Sequence, residues 1–127
     1  MSLKSIAVVF GIVFVAVGAL GWVPALAPGG KLLGWFDVND AHNFVHLATG
    51  ILAIIAGMTS ERASRIFFQV FGVIYACVAL LGFVGGDKPL LGIVANNGAD
   101  AVLHVVIAVV ALYLGFGMKT AAPTATA

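Results

Sequence analysis

Charge is what this chain has least of: six Lys or Arg and five Asp or Glu in 127 residues, 9% of the total, against roughly 25% in soluble domains. Apolar residues make up 62% and the mean hydropathy is +1.16. Such a chain cannot cover a water-facing surface, which excludes a soluble enzyme, a nucleic-acid binder and a disordered segment. The net charge of +1 offers no polybasic patch. The single cysteine, Cys77, allows neither an internal disulfide nor a cysteine-based zinc site; in its apolar run it reads as a small hydrophobe. Catalytic signatures are missing too. Outside a His/Asp cluster described below there is no nucleophile beside a base, and the chain has no Gly-rich phosphate loop followed by Lys and Ser or Thr and no HExxH element.

What is present is length and apolarity in four instalments. Spanning helices need about 20 mostly apolar residues, and four such stretches, near residues 6–23, 40–58, 64–84 and 97–118, are separated by Pro, Gly and nearly all the charges. The expected fold is an all-α four-helix transmembrane bundle forming one domain over residues 1–127. Lys4 ahead of the first run, with Ala25-Leu26-Ala27 after it, resembles a secretory signal, but the run is longer than a signal core and reads as a span. Lys4, Arg62, Arg65 and Lys119 fall on one side of the membrane, against Lys31 and Lys88 on the other. That bias favours both termini in the cytoplasm. Asp37, Asp40, Asp87 and Asp100 then lie at the outer side, with Glu61 inside. Trp22, Trp35 and Phe36 fall where an outer aromatic belt is expected.

The chain also repeats itself. Residues 10–23, FGIVFVAVGALGWV, align without gaps to residues 71–84, FGVIYACVALLGFV. Residues 32–46, LLGWFDVNDAHNFVH, align to residues 90–104, LLGIVANNGADAVLH. Leu32, Leu33, Gly34, Asn39, Ala41 and His46 thereby match Leu90, Leu91, Gly92, Asn97, Ala99 and His104. Compositional likeness among apolar helices does not explain these polar matches, so a tandem duplication of one helical hairpin, with copies at about 10–46 and 71–104, is expected. Two helices per copy give both copies one orientation, related by a pseudo-twofold along the membrane normal.

Positions three and four apart share a helix face. On the second span Asn39, His42, Asn43, His46, Thr49, Gly50, Ala53 and Gly57 form one stripe; on the fourth, Asn97, Asp100, Ala101, His104, Ala108, Ala111 and Gly115 do the same. In lipid the face carrying small and ionisable residues is the one turned to the bundle interior. Asn39 or Asp40, and Asn97, suit helix caps, and Asp100 suits a first turn. Gln69 and Tyr75, isolated on the third span, suit single interhelical bonds. His46 and His104 lie too deep for capping, and with His42 and Asp100 they bring three imidazoles and a carboxylate toward one place.

Three uses compete for that cluster: an interhelical hydrogen-bond network that sets helix register; a zinc or copper site on His42, His46, Asp100 and His104 with Asp40 or Asn43 orienting a ring; or His46 and His104 as axial ligands of a haem or chlorophyll-type tetrapyrrole; proton relay or quinone contact covers the remaining cases. In the first case the protein is a non-catalytic accessory subunit of a larger membrane complex or a self-associating one. The low-complexity segment 121–127 is expected to be flexible unless a partner orders it.

The elements H-N-F-V-H-L-A-T-G, residues 42–50, and N-N-G-A-D-A-V-L-H, residues 96–104, resemble a family of small prokaryotic four-helix membrane proteins known as a domain of unknown function, over about Phe10 to Gly117. The resemblance implies the four-span fold and a bacterial or archaeal plasma membrane. It implies no activity.

Overall fold

The computed structural model describes residues 1–119, so the 121–127 segment lies outside the described residues. The described residues form four helices: α1 (Leu3–Leu20), α2 (Asp40–Thr59), α3 (Glu61–Gly85) and α4 (Gly98–Leu112), the last continuing as a π-helical turn over Tyr113–Gly117. All four are long and apolar enough to cross a membrane. The protein is an all-α bundle. Between α1 and α2 run a 3-10 turn, Pro28–Gly30, and two very short antiparallel strands, β1 (Lys31–Leu32) and β2 (Phe36–Asp37).

Helix ends differ from the expected spans for local reasons. The first helix begins at Leu3 rather than residue 6, because the Ser2 hydroxyl accepts from Ser5 N at 3.1 Å and caps it. It ends at Leu20 rather than residue 23, ahead of Pro24, whose ring disfavours helical backbone in the residue before it. Ser60 alone separates α2 from α3. Its N–H donates to Ala56 O to close one helix, and its hydroxyl accepts from Ala63 N at 3.0 Å to open the next. Both Asn39 and Asn97 are N-caps, accepting from His42 N and Asp100 N at 2.9 Å.

Helix α1 packs chiefly on α2, and α3 chiefly on α4. The α1–α2 contact depends on glycine: a Cβ at Gly11 would meet Gly50 O at 2.5 Å, and one at Gly50 would meet Gly11 O at 2.6 Å. In lipid such close backbone approach replaces the hydrophobic drive that joins helices in water. The expected interior stripes are the buried ones. On α2 these are His42, Asn43, His46, Thr49, Gly50, Ala53 and Gly57; on α4 they are Asp100, Ala101, His104, Ala108 and Ala111. Phe44, Ile51, Ile55, Val102, Val106 and Val109 are exposed, as a lipid-facing surface requires. Cys77 is also exposed.

Along its axis the bundle has two different fillings. Toward the end bearing Lys4 and Arg65 the core is aromatic and aliphatic, with Leu3, Phe67, Phe68 and Leu114 buried together and Phe10 packed against them. At that end the π-turn has Met118 N donating to Tyr113 O at 2.8 Å, and Gly115 O accepts from Arg65 Nη1 at 3.1 Å and Gln69 Nε2 at 3.0 Å. Gln69 thus makes the interhelical bond expected of it. Toward the opposite, loop-bearing end the interior holds imidazoles.

The two loops treat matching positions alike. Leu33 and Leu91 have φ of 55° and 53°, followed by Gly34 and Gly92 at 77° and 74°. Asn39 Nδ2 donates to Ile93 O at 2.8 Å, while Asn97 Nδ2 donates to Trp35 O at 2.8 Å. Residues 35 and 93 stand at the same offset of 58 as residues 39 and 97, so each cap binds the other half's loop at the equivalent carbonyl.

Candidate metal centre

Helix α2 places His42 in its first turn and His46 one turn deeper, and helix α4 places His104 two turns in. The helical period aims all three at the bundle interior, where each is buried. One nitrogen from each of His42, His46 and His104 can be chosen so that all lie within 4.8 Å of one another. His42 Nε2 and His46 Nε2 are 3.1 Å apart. The His104 ring centroid lies 5.9 Å from that of His42 and 6.4 Å from that of His46.

Hydrogen bonding within this group is sparse. The contact between His42 and His46 lies within one helix, and among the described residues no histidine hydrogen-bonds across to another helix. The Nδ1 atoms of all three rings are buried without a partner. Neutral imidazoles joined Nε2 to Nε2 share one proton, so the accepting ring must carry its own N–H on Nδ1. On His46 that donor is buried with no acceptor, although buried polar groups ordinarily have partners; the His42 ring lies beside the Asp37 and Ala95 backbone.

The other expected residues lie around this set with different duties. Asp100 Oδ2 accepts from Asn97 N at 2.9 Å, completing a capping box, and from Asp37 N at 3.0 Å. It therefore joins the start of α4 to the β2 strand of the first loop, and it stands outside the group of converging nitrogens. Asp40 is exposed and its Oδ1 accepts from Trp22 Nε1 at 2.8 Å. Asn43 is buried against Gly21, where a Cβ would meet its Oδ1. Among the described residues neither Asp40 nor Asn43 hydrogen-bonds a histidine ring.

Neighbouring aromatics complete the surroundings. Phe14 lies 5.1 Å from the His46 ring, and Tyr75 meets the His104 ring edge-on at 5.7 Å. The Tyr75 hydroxyl donates to Thr49 Oγ1 at 3.4 Å. This places Tyr75 at the cluster, which its isolation on the third span did not indicate; its alignment with Phe14 in the repeat is the signal that points there. Two cavities flank the rings. One, of about 120 Å3, lies under the first loop and is bordered by Val17, Leu33, His42, His46 and Asp100. The other, of about 170 Å3, lies under the second loop and is bordered by Val45, Thr49, Tyr75, Val78, Leu91 and His104. On the first loop Lys31 Nζ sits 2.6 Å from Asp37 Oδ1. That hydrogen bond, and then the carboxylate's charge, hold the exposed ammonium above the ordinary lysine range.

Neither the curated proteins nor the solved structures include a match to this chain. A family model does match it, over residues 4–117, a range that contains all four helices but for the first residue of α1, both loops and the three histidines. The chain therefore belongs to the family described as a domain of unknown function, DUF4383.

Proposed function

We propose that this multi-pass membrane protein holds one divalent transition-metal ion, zinc or copper, on His42, His46 and His104 near one face of the membrane. The observation that carries the reading is three buried imidazoles from two helices, one nitrogen of each lying within 4.8 Å of the others. Tetrahedral zinc at about 2.0–2.1 Å from each nitrogen sets those nitrogens roughly 3.3 Å apart. The His42–His46 separation of 3.1 Å is already close to that value, and small rotamer adjustments bring in His104. Three histidines would hold the ion and leave room for one further ligand. Asp100 acts as a positioning residue, fixing the start of α4 and hence the height of His104.

The ion is favoured over a tetrapyrrole by space. Cavities of about 120 and 170 Å3 fall below the ~300 Å3 at which pockets for larger organic ligands begin. It is favoured over a packing network because the three rings supply no hydrogen bond between helices among the described residues. We also read the chain as one transmembrane unit, residues 1–127, built from a duplicated hairpin; the reciprocal Asn39 and Asn97 bonds support that reading. Lys4, Arg62, Arg65 and Lys119 support both termini facing the cytoplasm, with the histidines toward the outer leaflet. The family resemblance supports a prokaryotic plasma membrane.

Elemental analysis of the detergent-purified protein tests the reading. The expected result is close to one zinc or copper per chain, no Soret absorbance, and loss of at least nine-tenths of the metal in the His46→Ala, His104→Ala double variant with helical content retained. A folded protein that stays metal-free after dialysis against zinc and copper contradicts it and leaves helix packing in a larger complex as the histidines' role.

A further inference from the structure

We propose that the 170 Å3 cavity beneath the second loop binds a neutral six-membered ring carrying a carbonyl, a quinone-type head group, that enters from the lipid. Its volume matches the class: an apolar cavity of about 150 Å3 in a protein takes up benzene. Its walls are apolar, from Val45, Ile74, Val78 and Leu91, with His42, His46 and His104 at one side, and no Lys, Arg, Asp or Glu lines it. Of the lining residues, Val45 and Ile74 are exposed on the helix flanks and Leu91 on the second loop, so apolar surface continues from the cavity onto the lipid-facing side of the helices.

The polar end of the cavity determines the ligand's functional group. Thr49 is 3% exposed and its oxygen accepts from the Tyr75 hydroxyl. The Thr49–Tyr75 pair has two hydroxyl protons and makes one hydrogen bond, so one buried O–H is left without an acceptor among the described residues. A buried donor without a partner is costly, and a ring carbonyl supplies the missing acceptor. The second cavity is also the one that differs from its counterpart. By the repeat, Tyr75 aligns with Phe14, and Thr49 at the same offset as the second block aligns with Ile107, so the first cavity lacks both hydroxyls. Binding here uses Thr49 and the apolar walls and does not require a metal, although His42, His46 and His104 also line the cavity, so a bound ring abuts the proposed metal centre.

Duroquinone, a fully substituted benzoquinone that does not add thiols, is the probe, observed by saturation-transfer NMR against the full-length protein in detergent, with empty micelles as the partition blank. Saturable binding is expected. Val78→Phe, which fills the cavity, should abolish it, whereas Val17→Phe, at the corresponding place in the first cavity, should leave it unchanged. Thr49→Val keeps the volume and removes the donor, and should weaken binding roughly three- to tenfold; if Val78→Phe does not fold, this variant decides. Transfer no greater than the micelle blank, equal affinity in the Thr49→Val protein, or loss in Val17→Phe alone overturns the proposal. Metal content measured on the same samples shows whether the histidine centre persists when quinone binding fails.

Discussion

Single residues in this protein do several things at once. Asn39 and Asn97 each cap a helix and bind the opposite loop. Truncation should therefore cost more than a cap alone, which is typically about 1 kcal/mol. Asn97→Ala is expected to lose about 1–2 kcal/mol, read as a lowered thermal midpoint in detergent; an unchanged midpoint would show that the carboxamide contributes nothing. Leu33 and Leu91 present the opposite case. Both are exposed and hold positive φ, a conformation that costs a bulky residue roughly 1–2 kcal/mol. Leu91→Gly relieves that strain but gives the unfolded chain more freedom, worth about 0.5–1 kcal/mol. The net expectation is a small gain, up to about 1 kcal/mol, and a clear loss of stability would refute the strain reading. Positive φ at Leu33 could not be read from the sequence, since leucine does not mark such a backbone. Asp100 was readable as both cap and ligand, and only the positions of the Asn97 and Asp37 amides show where its Oδ2 is engaged.

Among the elements, the interior faces of α2 and α4 were visible in advance because small and polar residues recur there at helical spacing while branched apolar residues fill the rest. Lipid makes that pattern more informative than hydrophobicity, which is nearly uniform around these helices. The two-residue strands were not foreseen, being too short to show any alternation. Nor was the place of Tyr75, since one polar aromatic on an apolar helix has no period. The glycine contact between α1 and α2 carries a sharp expectation. Gly50→Leu drives a side chain into Gly11 O and Val15 N, and overpacking of a backbone contact should cost about 3 kcal/mol, at the upper end of the usual range. Ile51→Leu, one position on and facing lipid, should be near neutral. Equal melting temperatures for the two variants would mean that close approach of α1 to α2 does not hold the hairpin together.

At the scale of the whole molecule, an aromatic core at one end and an imidazole centre at the other give the bundle a polarity that matches its charges. The single-residue turn at Ser60 and the Arg65 bond to Gly115 O share the basic end with both the start of α1 and the close of α4. Fusions of a cytoplasm-dependent reporter should thus be active at either terminus and inactive after Gly85; activity only after Gly85 would reverse the orientation. Membrane class and helix faces followed from the scarcity and placement of charge. The meeting of His104 with His42 and His46 did not, because a helical period orients side chains about their own axis but says nothing of the distance between axes. That meeting is the core of the functional reading. X-ray absorption at the zinc or copper edge of protein dialysed against those metals probes it most directly. Three imidazole nitrogens at about 2.0 Å around one ion, falling to two or fewer in the His104→Ala protein, is the predicted result. A spectrum unaltered by that substitution, or an ion surrounded by oxygen alone, would contradict it.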